Sequence, residues 1–139
     1  MKLDKIEFQI KHIDILEFSF KNPSRVFPEN SPFRFDLQST ISVKEQEERI
    51  EVNSKYKIFY DNETEYIASA EISCIYHVLE LDKLVREPED KGLPKEFITT
   101  LNSISISTSR GVLFALFRGT PLHSVILPVI NPREQQQEI

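Results

Sequence analysis

From Ile6 to Val78 the residues alternate apolar and polar with period two, in four separate segments. A chain that does this must build strands with one covered face and one wet face, because successive side chains on a strand point to opposite sides. Ile6, Phe8 and Ile10 begin the first segment. His12 and Asp14 interrupt its apolar face, Ile13 and Ile15 take it over briefly, and Leu16, Phe18 and Phe20 restore it. One long strand with a bulge or twist near His12 accounts for this pattern. Pro23, Pro28 and Pro32 then mark a loop, since each removes a backbone donor.

Phe33, Phe35, Leu37, Ile41 and Val43 form the second alternating set, and Lys44 to Glu48 reads as a charged turn. Ile50, Val52, Tyr56, Ile58 and Tyr60 form the third. After the turn Asp61 to Thr64, a fourth runs from Tyr66 to Val78. Short connections between strands favour an antiparallel meander.

Glu80 to Pro94 carries proline, glycine and mixed charges and reads as a linker. Beyond it the period lengthens. Phe97, Leu101, Ile104 and Thr108 have helical spacing, Pro94 suits a first turn, and Gly119 suits a stop after Arg118. Ser103, Ser105, Ser107, Thr108 and Ser109 are weak helix formers. Their small size lets a helix lie close against the sheet face that needs a cover. The fold expected is therefore α+β: a four-stranded antiparallel meander with a long C-terminal helix packed on one face. Residues 1–132 form a single domain in this reading, and 133–139 a polar tail.

Pro121, Pro128 and Pro132 forbid a continuous helix through the next stretch, yet Leu122, Val125, Ile126, Leu127, Val129 and Ile130 are apolar. An extended apolar segment must lie on something or be lain upon.

Chemistry is sparse. Three glycines, Gly92, Gly111 and Gly119, cannot supply a phosphate-cradling loop or a nucleophile elbow. His12, His77 and His123 have no metal-ligand spacing, and Cys74 is the single cysteine, so neither a metal, a cofactor nor a disulfide is expected. Cys74 reads as a buried strand thiol, with His77 on the opposite strand face. A net charge of −5 with scattered basic residues argues against nucleic acid. No hydrophobic leader and no run long enough to span a membrane are visible, so a cytoplasmic, non-enzymatic protein is the expectation.

The run Phe8-Gln9-Ile10-Lys11-His12-Ile13, continuing through Ser19-Phe20 and Asn22-Pro23 to Val26-Phe27, resembles the opening strand and loop of the SecB export-chaperone family. Arg118-Gly119-Thr120, followed by Leu127-Pro128-Val129-Ile130-Asn131, is similar to that family's segment after its long helix. The resemblance implies an ATP-independent chaperone subunit that holds unfolded polypeptides in apolar grooves, and a homo-oligomer, dimer or tetramer, joined through the first strand and the helix. It implies peptide contacts at Phe117, Leu122, Val125, Leu127 and Val129. Glu17 matches an acidic position that docks the export motor ATPase, whereas Lys21 and Ser69 depart from the acidic pattern. The family's second helix has no counterpart in Asn131 to Ile139, so one groove wall is expected to be short. A dedicated protein-interaction module, such as an antitoxin-specific relative, is the alternative.

Overall fold

The computed structural model describes residues 6–22, 25–85 and 92–128. Four strands form one antiparallel sheet: β1 (Phe8–Phe20), β2 (Phe33–Lys44), β3 (Arg49–Tyr60) and β4 (Ala68–Val78). A 3-10 turn over Glu45–Glu47 joins β2 to β3. A short helix, α1 (Leu81–Leu84), follows β4, and the long helix α2 (Lys95–Phe117) comes last. The tail expected from Arg133 lies outside the described residues.

The expected antiparallel sheet and C-terminal helix are both present, so the fold is α+β. The strand order is β1-β4-β3-β2. The meander therefore runs through β2, β3 and β4, while β1 leaves it to lie beside β4. The β1–β2 connection must cross the end of the sheet, about 14 Å over three strand spacings. That crossing explains its length and its prolines better than a hairpin would.

Pairing puts each apolar set on one face. Tyr76, Cys74, Ile72 and Ala70 of β4 stand beside Ile50, Val52, Tyr56 and Ile58 of β3, and all are buried. β1 keeps its own apolar residues on that face with two bulges, one between Ile10 and His12 and one between Ile15 and Glu17. The extra residues are Lys11 and Leu16. The first bulge is the one expected near His12. The second turns Leu16 out of the apolar row, and it is 53% exposed. Each bulge resets the period-two pattern, since a one-residue slip would send every later side chain to the wrong face.

α2 lies across this face and buries Phe97, Leu101, Ile106, Leu113 and Phe117. A fully buried side chain of this kind contributes about 1.5–3 kcal/mol before ordering costs. Pro94 stands at the N-cap, where its missing N–H costs nothing. The sequence linker is partly structured: Leu81 and Leu84 of α1 are buried in the core, while 86–91 lie outside the described residues.

Arg118 ends α2, and Gly119 follows at φ +81. A Cβ there meets no atom within 4 Å, so the only penalty for a side chain is the left-handed backbone. Gly119→Ala is expected to lower unfolding free energy by about 1 kcal/mol. Urea titration checks this; unchanged stability would show that the turn relaxes.

Candidate functional site

Two surfaces stand out, one at each edge of the sheet. At the β2 edge, a groove of about 660 Å³ lies between the β1–β2 connection and the segment after α2. One wall is aromatic: Phe27, Phe33 and Phe35. The other is Pro121, Val125, Ile126 and Pro128, with Glu29 and His123 as its titratable groups.

Local chemistry sets both walls. Phe27, Phe33 and Tyr60 pack ring against ring, with centroids 4.9 to 5.6 Å apart. Arg25 lays its guanidinium over Phe27 and Tyr60 at 4.8 and 5.0 Å. It also forms a two-pronged ion pair with Glu63, at 3.0 and 2.5 Å. This ties the β1–β2 connection to the β3–β4 turn. The hydrogen bond from Arg25 is the main reason the Glu63 carboxyl sits below the usual carboxylate range.

Opposite, the Thr120 hydroxyl donates to the Phe117 carbonyl and accepts from the Leu122 amide. The chain is thereby folded back over the core. Val125 and Leu127 point inward, while Ile126 between them is 58% exposed. Arg110 of α2 holds this run from the side: its Nε donates to the Leu127 carbonyl at 3.0 Å, and Nη2 reaches the Pro128 carbonyl at 3.4 Å.

The residues expected to contact a client are thus placed differently. Phe117, Leu122, Val125 and Leu127 are buried in the chain's own core, with at most 7% exposure. Their surface is spent on α2 and the sheet, and only Val125 also borders the groove. Val129 lies outside the described residues. Phe27, Phe33, Phe35 and Ile126 are groove residues that sequence reasoning missed. Ile126 had a signal: it is out of phase with Val125 and Leu127, so if those two face the core it must face away. Phe33 and Phe35 had none, because alternation does not say which strand is an edge.

The β2 edge itself is open among the described residues. β2 pairs only with β3, in unbroken register from Phe33 opposite Tyr60 to Lys44 opposite Arg49. From Leu37 to Val43 it carries no charge, glycine or proline. Natural edge strands are usually blunted by one of these or by a bulge.

The second surface is β1. Ile13 and Ile15 stand opposite Cys74 and Ile72, on the face that α2 covers. They are nonetheless 46% and 49% exposed. α2 reaches β1 only near its ends, where Phe8 meets Phe97 at 5.1 Å and Phe18 meets Phe117 at 6.1 Å. Among the described residues, the middle of β1 is left about half exposed.

Glu17 lies on the opposite, polar face. Its carboxylate accepts from the Ser69 hydroxyl, and its cross-strand neighbour is Glu71, itself opposite Lys55. Glu17 therefore stands hydrogen-bonded within a face of mixed charge. Cys74 is buried, which pushes its thiol pKa up, as fits a structural thiol. His77 points to the other face and pairs with Glu48 at 3.3 Å. Among the described residues no cluster of His, Cys, Asp or Glu could hold a metal ion, and no helix is long and apolar enough to cross a membrane.

Under α2 runs a polar seam. The Ser105 hydroxyl and the Tyr76 hydroxyl are 2.8 Å apart, Tyr76 donates to the Leu101 carbonyl at 3.3 Å, and Ser39 donates to Asn102 at 3.4 Å. Burial raises the Tyr76 pKa strongly, and raises that of Tyr56 as well. The Tyr56 hydroxyl is buried beside the hydroxyls of Ser54 and Ser109.

No family model matches the chain, and no curated protein matches it. Among solved structures, a protein of unknown function from Streptococcus agalactiae aligns with 90% of this chain and 97% of its own, at 10% identity and a TM-score of 0.44. A likeness of that size carries no argument about function.

Proposed function

We propose that this chain is a subunit of a SecB-like, ATP-independent chaperone of the cytoplasm that holds unfolded polypeptides in extended form. The observation that carries this reading is the groove beside the edge strand β2, in which Phe27, Phe33, Phe35 and Ile126 stand among polar residues such as Glu29, Asn30 and His123. An unfolded segment is recognised by what it has in common with every other: exposed apolar side chains and unpaired backbone. The groove meets the first with Phe27, Phe33, Phe35 and Ile126, and the β2 edge meets the second. A client strand added there gains main-chain pairing and buries alternate side chains, at about 25 cal/mol per Å² of apolar surface before ordering costs. None of this needs a catalytic group or nucleotide.

Holding a long client needs several grooves, so self-association belongs to the reading. The half-exposed Ile13 and Ile15 of β1 are the surface we assign to it, at the edge opposite the groove.

The test is suppression of aggregation of a chemically denatured model enzyme without ATP, alongside mass measurement by light scattering. A monomer that leaves aggregation unchanged would remove the proposal. Within that assay, Ile126→Asp is expected to weaken client binding about tenfold, because the client would bury an unpaired charge. Ile126 is exposed, so the melting temperature should hold. Equal affinity would place the client elsewhere.

A further inference from the structure

The sheet face turned away from α2 divides its charges unequally. At the end near the Glu45–Glu47 turn every cation meets a carboxylate. Lys44 pairs with Glu51 at 3.1 Å, Arg49 with Glu47 and Glu51 at 3.6 Å, and His77 with Glu48 at 3.3 Å. At the other end stand Lys21, Arg34, Lys55 and Lys57. Among the described residues none of these four makes an ion pair. Asp36 and Glu71 lie opposite Lys57 and Lys55 in the register, yet neither reaches them.

Three of the four cations rest on rings instead. The Arg34 guanidinium lies over Phe59 at 4.2 Å. Lys21 Nζ and Lys57 Nζ are 4.1 and 5.3 Å from the centre of the Tyr66 ring, and Tyr66 meets Phe59 edge-on at 6.4 Å. A ring holds a cation in place without neutralising it. Arg34 is further fixed by donating to the Asp61 carbonyl at 3.1 Å. The chain is acidic as a whole, with a net charge of −5, but this end of the face presents placed, uncompensated positive charge.

The charges are also in line. Lys55, Lys57 and Phe59 occupy alternate positions of β3 on one face, about 6.8 Å apart, and Arg34 sets its charge over the third. A hollow of about 150 Å³ opens beside Lys55 and Lys57, between them and Asp36 and Gln38. That is room for a carboxylate, since a water occupies about 30 Å³. An extended peptide repeats its side chains on one side at the same interval as β3. A nucleic acid fits less well. It would need open ring faces on which to stack bases, and Phe59 is only 7% exposed beneath Arg34.

We infer that this face docks an extended acidic segment of another protein, with carboxylates on alternate residues set against Lys55, Lys57 and the Arg34 guanidinium, and with Lys21 flanking them at Tyr66. Complementary charge at fixed spacing supplies the recognition. The surface is on the other side of the sheet from α2, and none of the four cations lines the groove, so the inference stands whether or not the groove holds clients.

The test is fluorescence anisotropy of the whole protein at low ionic strength, where exposed charges are least screened. The probe is a fluorescein-labelled peptide as long as β3, 12 residues, alternating glutamate with threonine. Binding is expected, and is expected to disappear when glutamine replaces glutamate. Lys55→Gln with Lys57→Gln should weaken it about tenfold, and Arg34→Gln alone, at an exposed position, about threefold. Lys44→Gln with Lys83→Gln removes the same charge from two lysines already paired with Glu51 and Glu80. It should change affinity less than about twofold, because long-range attraction alone is what it alters. Melting temperatures of all variants should match the parent. No binding by the parent, or equal losses in the two lysine pairs, overturns the inference. A peptide with its glutamates in one block that binds as tightly overturns the alternate spacing. An oligothymidylate of the same charge that binds more tightly than the peptide overturns the choice of partner.

Discussion

Leu122→Ala is expected to lower the unfolding free energy by about 3 kcal/mol, the middle of the range for emptying a buried leucine site. In a domain of this size that is a fall in melting temperature of about 10 °C. Leu122 has no exposed surface and joins one continuous core with Phe117, Val125 and Leu127. The segment is also held by Thr120 on one side and Arg110 on the other, so the cavity cannot collapse freely. Thermal unfolding of the parent, Leu122→Ala and Ile126→Ala separates two views of this stretch. A core position loses stability when truncated; a client contact loses affinity and keeps its melting temperature. Leu122→Ala should behave as the first and Ile126→Ala as the second. If Leu122→Ala melts with the parent, the segment does not belong to the core.

Replacing Ile13 and Ile15 together by Asp is expected to weaken self-association at least 100-fold. Both side chains are about half exposed in the single chain, so the double variant should fold, with a cost of about 1 kcal/mol for placing Asp in a strand. In a subunit interface the same positions would bury two carboxylates with no counter-charge, and that penalty falls wholly on the assembly. Sedimentation velocity across a concentration series reads the result. A parent that stays monomeric at high micromolar concentration would remove the β1 assignment. So would a variant that keeps the parent's mass.

Much of the fold was legible because period two is a local property. The four strands, the turn at Lys44 to Glu48 and the sidedness of Cys74 and His77 follow from which neighbours share a face. The interruption at His12 was legible as a bulge for the same reason. Leu16 was not, since it is apolar and in phase with Phe18, and only the pairing of Ile15 and Glu17 with Ile72 and Glu71 shows it as the extra residue. The helix boundaries were legible from Pro94 and Gly119, whose backbone restrictions act whatever surrounds them. The short helix at Leu81–Leu84 was hidden inside a charged segment, because two buried leucines are too few to set a period.

The candidate site was less legible. The apolar run after Gly119 was marked as unusual by its prolines, and it does form a groove wall. Which of its residues face the groove depended on what lay beneath. Burial is favourable in proportion to the apolar area removed from water and has no preferred partner. Leu122 and Leu127 therefore look the same in sequence whether they cover their own sheet or await another chain. Sequence alone determined that this chain makes strands, then a helix, then an apolar segment that must be covered. The tertiary structure decided the order β1-β4-β3-β2, and with it that β1 and β2 are the edge strands. It also decided that the buried members of the last segment belong to the core, leaving Ile126 and the phenylalanines of β2 on the groove.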